Sequence, residues 1–167
     1  MRAQGFTLVE VLIVVVILSI LAAIIVPQLS SASATTRASM LADDLRVLRS
    51  QIEVFKSQHK GVPPGYPDCD EAQAPTEDAF LEQMTMASTA GGDVANPGTE
   101  GFDYGPYMLE MVPNPVNSKA TIEIIGDGED FPSEADDSHG FIYQPSTTTL
   151  RADSTGTDDS GRAFFDY

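Results

Sequence analysis

Residues 6–26 read FTLVEVLIVVVILSILAAIIV, 21 residues with a single charge, Glu10. As one helix at about 1.5 Å per residue this run spans roughly 31 Å, close to the roughly 30 Å hydrocarbon core of a bilayer. It is apolar on every side, so it needs lipid or the middle of a bundle rather than one face of a globular core. The β-branched stretch from Val14 to Ile17 is no obstacle, because a helix satisfies every backbone group of a single segment in lipid. A carboxylate costs about 3 kcal/mol at the centre of a membrane helix and less near its end. An acid such as Glu10 therefore points to a functional partner.

Upstream stands a five-residue polar leader, Met1-Arg2-Ala3-Gln4-Gly5. A secretory signal peptide would have an apolar region of about 7–15 residues; this run is longer and holds a carboxylate, although a small-x-small site exists at Ala32-Ser33-Ala34. A plain membrane anchor leaves Glu10 without a reason. The string Gly5-Phe6-Thr7-Leu8-Val9-Glu10 before an unbroken apolar helix, with Pro27 one helical span later, resembles the class III signal of type IV pilins and type II secretion pseudopilins. The resemblance implies cleavage between Gly5 and Phe6 by a membrane-embedded prepilin peptidase and N-methylation of Phe6. It further implies assembly into a homo-oligomeric filament with other pseudopilins on an inner-membrane platform. In such a filament Glu10, the fifth residue from Phe6, faces the Phe6 amine of a neighbouring helix. An unpaired buried charge is costly, so the pair acts as a register device more than as a source of stability. An acid near the positive end of the helix dipole is the plainer alternative for Glu10.

Downstream, Pro27 lacks an N–H and can kink or loosen the helix. It is followed by the weak helix formers Ser30, Ser31, Ser33, Thr35 and Thr36. Helical periodicity then returns: Leu41, Leu45, Leu48, Ile52 and Phe55 are spaced 4, 3, 4 and 3 residues apart, one face of an amphipathic helix. Gly61, Pro63 and Pro64 end it. The expected division is a leader at 1–5, a transmembrane or filament-core helix at 6–27, an amphipathic stem at 28–60 and an acidic globular domain at 61–167.

The charge divides in the same place. Of 167 residues, 9 are Lys or Arg and 25 are Asp or Glu, a net charge of −16. Residues 1–60 hold six basic and four acidic side chains, whereas the remaining 107 hold three basic and 21 acidic ones. The lack of clustered cations argues against nucleic-acid binding. An acidic body stays soluble and repels its like. The one cysteine, Cys69, closes no internal disulfide and builds no Cys-rich zinc site.

Within the body, Phe80–Met84 reads as a short helix started by Thr76-Glu77-Asp78, and Thr121–Ile125 reads as a strand. His139–Tyr143 and Thr149–Ala152 flank Gln144-Pro145-Ser146-Thr147-Thr148 as a hairpin. Gly105–Pro115, GPYMLEMVPNP, is similar to a segment of the major pseudopilin that leads into its sheet. The hairpin is similar to one common in that family, with Phe141 where a Trp is usual; this chain has no Trp. The implied fold is α+β and pilin-like: a long N-terminal helix, half transmembrane and half amphipathic, packed on a small antiparallel sheet of about three strands.

In the tail, Asp153, Asp158 and Asp159 stand among Gly and Ser and read as a possible calcium loop, since calcium takes 6–8 oxygen ligands. The major pseudopilins carry calcium in this region, though the loop motif differs here. Asp127-Gly128-Glu129-Asp130 and Asp136-Asp137 are rival clusters, EF-hand spacing is not met, and a solvated acidic loop is the alternative. His59 and His139 fall in no catalytic signature, so no enzyme is expected. The leading function is a structural pseudopilin of a type II secretion-like pseudopilus, single-pass in a bacterial inner membrane with the body in the periplasm. A type IV pilus subunit and a membrane-anchored binding domain that forms no filament are the alternatives.

Overall fold

The computed structural model describes residues 7–167, without the side chains of 24–33. Gly5, Phe6 and the side chain of Pro27 lie outside the described residues.

Helix α1, Leu8–Gln58, is 51 residues long. Thr7 is its N-cap in extended conformation, and the chain leaves it at His59, whose N–H donates to the Phe55 carbonyl (3.0 Å). Lys60 and Gly61 then adopt left-handed backbone, at φ 58° and 88°, ahead of Pro63 and Pro64. The expected stop near Gly61 is met. The face written by Leu41, Leu45, Leu48, Ile52 and Phe55 is buried throughout, and Ala38 extends it one turn upstream.

Helix α2, Glu77–Thr85, starts where its cap chemistry puts it: the Thr76 hydroxyl accepts from Ala79 N–H (3.2 Å). It lays Phe80 and Met84 on the α1 face. Two residue pairs that the sequence reading left in irregular chain form a small antiparallel ladder, β1 (Ala87–Ser88) with β2 (Val94–Ala95).

The main sheet has the order β3 (Ile122–Ile124), β4 (Phe141–Gln144), β5 (Thr149–Ala152). The expected hairpin is present in antiparallel register, Phe141 opposite Ala152 and Gln144 opposite Thr149, with a short turn at Pro145–Thr147 and left-handed Thr148. Strand β3 departs from the all-antiparallel expectation: it pairs with β4 in parallel, Ile122 opposite Phe141. The reason is the connection. Residues 125–140 form a long loop that carries the chain back, and β4 therefore starts in the same direction as β3. Gly140 makes this crossing possible, because a Cβ there would lie 2.2 Å from the Lys119 carbonyl oxygen. Buried Phe141, Tyr143, Leu150 and Ala152 cover the α1 face, joined by Phe164 from the tail. Each large aliphatic or aromatic side chain so buried contributes about 1.5–3 kcal/mol.

Candidate functional site: an uncovered helix start and a stapled tail

The beginning of α1 has the opposite environment from its end. Every described side chain from Thr7 to Ala23 is exposed, including Leu8 at 82% and Leu12 at 58%. Apolar side chains face outward on all sides of the helix, far more than the few hundred Å² a soluble monomer leaves uncovered. Among the described residues no helix is long and apolar enough to cross a membrane; the described side chains of the apolar run end at Ala23, before residues 24–26.

At the tip, Glu10 and Thr7 form a reciprocal cap. Glu10 Oε2 accepts from the Thr7 N–H (2.8 Å) and from the Thr7 hydroxyl (2.7 Å), and the Thr7 hydroxyl accepts from the Glu10 N–H (3.3 Å). In the single chain the carboxylate therefore satisfies orphan donors of its own helix start. This is the plainer role considered for Glu10.

Of the tail residues that the sequence grouped as calcium ligands, Asp158 and Asp159 line one cavity against α1 with Thr35 and Tyr167, whereas Asp153 has other partners. Asp153 is fully buried. Its Oδ1 accepts from the N–H groups of Asp136 (2.9 Å) and Asp137 (3.1 Å), and its Oδ2 from the His139 N–H (2.7 Å) and the Ser138 hydroxyl (3.1 Å). Asp158 receives its own donors from Ser160, Arg162 and Tyr167, and Asp159 accepts from Thr35 on α1. Among the described residues no group of three or more His, Cys, Asp or Glu could hold a metal ion. Asp153 is a structural carboxylate that ties the loop before β4 to the end of β5. The rival cluster Asp136-Asp137 is the other half of that tie, not a separate site.

Sequence reasoning missed two buried polar centres. Asn114 donates to the Gly140 carbonyl (2.7 Å) and the Ser154 hydroxyl (2.9 Å), while its Oδ1 accepts from Val116 N–H (2.9 Å). Nearby Asn117 donates to the carbonyls of His139 and Asp153, both at 2.7 Å. The signal available was the turn-forming Pro113-Asn114-Pro115. The second centre is His59, 1% exposed and stacked on Phe55 with centroids 3.8 Å apart. Its Nδ1–H donates to the Phe55 carbonyl (2.8 Å), which leaves Nε2 to accept from the Ser88 hydroxyl (3.0 Å). Nδ1 fixes the ring to the last turn of α1, and Nε2 ties it across to β1. Cys69 is half-buried, and burial together with nearby Asp68 pushes its thiol up to about 11.

The prokaryotic N-terminal methylation motif matches residues 1–26. The type II secretion system core protein G of Pseudomonas aeruginosa is 36% identical over 114 residues, 68% of each chain. That of Klebsiella pneumoniae is 26% identical over 117 residues, 70% of this chain and 71% of the other. The type IV narrow pilus major component of Thermus thermophilus is 34% identical over 89 residues, 53% of this chain and 73% of the other. No solved structure matches. A methylation signal, an uncovered apolar helix and a body folded on that helix's far end define a filament subunit of pilin type. The chain belongs to the type IV pilin-like family of pseudopilins.

Proposed function

We propose that this chain is a structural subunit of a type II secretion pseudopilus, assembling through the first half of α1 to drive protein export. The observation that carries the reading is the contrast along α1: a buried face where the body covers it, and apolar side chains exposed all round from Leu8 to Leu21. That surface is covered first by lipid and then by the same helix of other subunits. Before assembly the chain sits once through the bacterial inner membrane with its body in the periplasm. Prepilin peptidase cuts between Gly5 and Phe6 and methylates the Phe6 amine, and the assembly platform adds the subunit to the filament.

In this reading Glu10 releases Thr7 and takes the Phe6 amine of an axially displaced neighbour. A local cap worth about 1 kcal/mol is exchanged for a charge pair whose absence is penalised in any other register. The relatives are structural subunits, and a structural role is proposed for this chain too. The test is intact mass and N-terminal sequencing of membrane-extracted protein co-expressed with prepilin peptidase. A start at N-methyl-Phe6 is expected. A start at Thr35 would mean an ordinary secreted protein, and an intact Met1 would favour the membrane-anchored binding domain.

A further inference from the structure

The tail of this chain does not offer a calcium ion a free set of oxygens, yet it is held firmly against the stem. Asp158 sits at the centre. Its Oδ1 accepts from the N–H groups of Ser160 (2.8 Å) and Arg162 (3.0 Å) and from the Ser160 hydroxyl (2.6 Å). Its Oδ2 accepts from the Tyr167 hydroxyl (2.5 Å). The loop backbone closes around it, with Asp158 N–H donating to the Arg162 carbonyl and Gly161 N–H to that of Asp158. The Arg162 guanidinium lies 4.4 Å from the Tyr167 ring centroid. The stem holds the closed loop at two points. Arg49 donates to the carbonyls of Leu150 (2.7 Å) and Tyr167 (2.9 Å), and Thr35 donates to Asp159.

We propose that in this chain a hydrogen-bonded carboxylate, Asp158, closes the C-terminal loop on the stem in place of a bound calcium ion. The logic of the two closures is inverse. A cation gathers carboxylates and carbonyls around a positive charge; here one carboxylate gathers four donors, and charge-assisted hydrogen bonds of this kind are the stronger ones. The hydrogen bonds from Ser160 and Tyr167 hold the Asp158 carboxyl below the usual carboxylate range. A calcium ion approaching Oδ1 would have to displace its three donors. The two carboxylates that would complete a shell are committed elsewhere, Asp159 to Thr35 and Asp153 to the loop before β4. With this arrangement the body folds and stays on its stem at any calcium level.

The experiment is thermal melting of the full chain in detergent micelles with the chelator EGTA, with calcium chloride or with magnesium chloride. The wild type is expected to melt at the same temperature in EGTA and in calcium, apart from any shift that magnesium produces equally. Tyr167→Phe keeps the ring and removes one hydrogen bond to Asp158; it lowers Tm by about 2–4 °C in all three media. Asp158→Asn lowers it further. A rise of roughly 5–10 °C given by calcium and not by magnesium, as a filled specific site would produce, overturns the proposal. So does a Tyr167→Phe variant that melts with the wild type. The readout is folding of the body, so either outcome leaves the filament reading standing on its own test.

Discussion

The two ends of α1 are one helix in two solvents. From Ala38 to Phe55 one apolar face is buried at 0–6% exposure under α2, the sheet and Phe164, while Met40, Val47 and Val54 off that face stay exposed among charged residues. From Leu8 to Leu21 the apolar residues go all the way round, and they remain about half exposed or more. The difference lies in pattern as well as in hydrophobicity: residues 8–21 hold one charge, Glu10, whereas 38–55 hold Asp43, Asp44, Arg46, Arg49 and Glu53. A face of period 3.6 can be satisfied by the chain's own body, whereas an apolar surface without a polar side cannot be covered by one small sheet. One half of the helix belongs to this molecule's fold, and the other half belongs to its surroundings.

The comparison is broken most readily by truncating large side chains in each half. Phe55→Ala removes a fully buried ring and should destabilise the body by about 3–5 kcal/mol in denaturant melting. Leu12→Ala, with a side chain 58% exposed, should leave body melting unchanged and show its effect only in filament yield. Equal losses of body stability from the two would mean that both ends of α1 serve one core.

The two N-caps give a smaller and sharper version. Thr76→Ala removes the acceptor for Ala79 N–H at the start of α2 and should cost about 1 kcal/mol of body stability. Thr7→Ala removes the matching acceptor at the start of α1 and should cost the body nothing. Circular-dichroism melts of the two variants decide it.

The smallest effect concerns the seal of the body itself. Burial first, and Asp68 second, push the Cys69 thiol up to about 11. The thiol is therefore protonated throughout the neutral range, and its thiolate fraction rises only as pH climbs toward that value. Alkylation of the folded protein near neutral pH should be much slower than alkylation of the unfolded chain, with rates rising together with pH. Equal rates in the two states would mean that the body is looser than its packing on α1 implies.

Features set by local pattern were legible in the sequence. The buried face of α1, the Thr76 start of α2 and the β4–β5 hairpin around Pro145 all rest on spacing, caps and turn residues a few positions apart. The parallel entry of β3 was not legible, because it depends on how residues 125–140 return and on Gly140 tolerating the Lys119 carbonyl. Nor was the role of Asp153. A lone acid near other acids reads as a ligand set, yet its partners are backbone N–H groups 14–17 residues away. Hydrogen bonds to backbone leave no mark in the identity of the donating residue. Glu10 stood out in the sequence as the one acid of an apolar run, while its reciprocal cap with Thr7 was visible only in the structure.

The central claim is that the first half of α1 is completed by other copies of itself, with Glu10 setting their register. The direct measurement is filament yield, by shearing and electron microscopy, for wild type and Glu10→Ala expressed with prepilin peptidase and the assembly platform, alongside body melting of each. The account predicts that Glu10→Ala is processed at Phe6, melts with the wild type and forms few or no filaments. Filaments at wild-type yield from Glu10→Ala would contradict it.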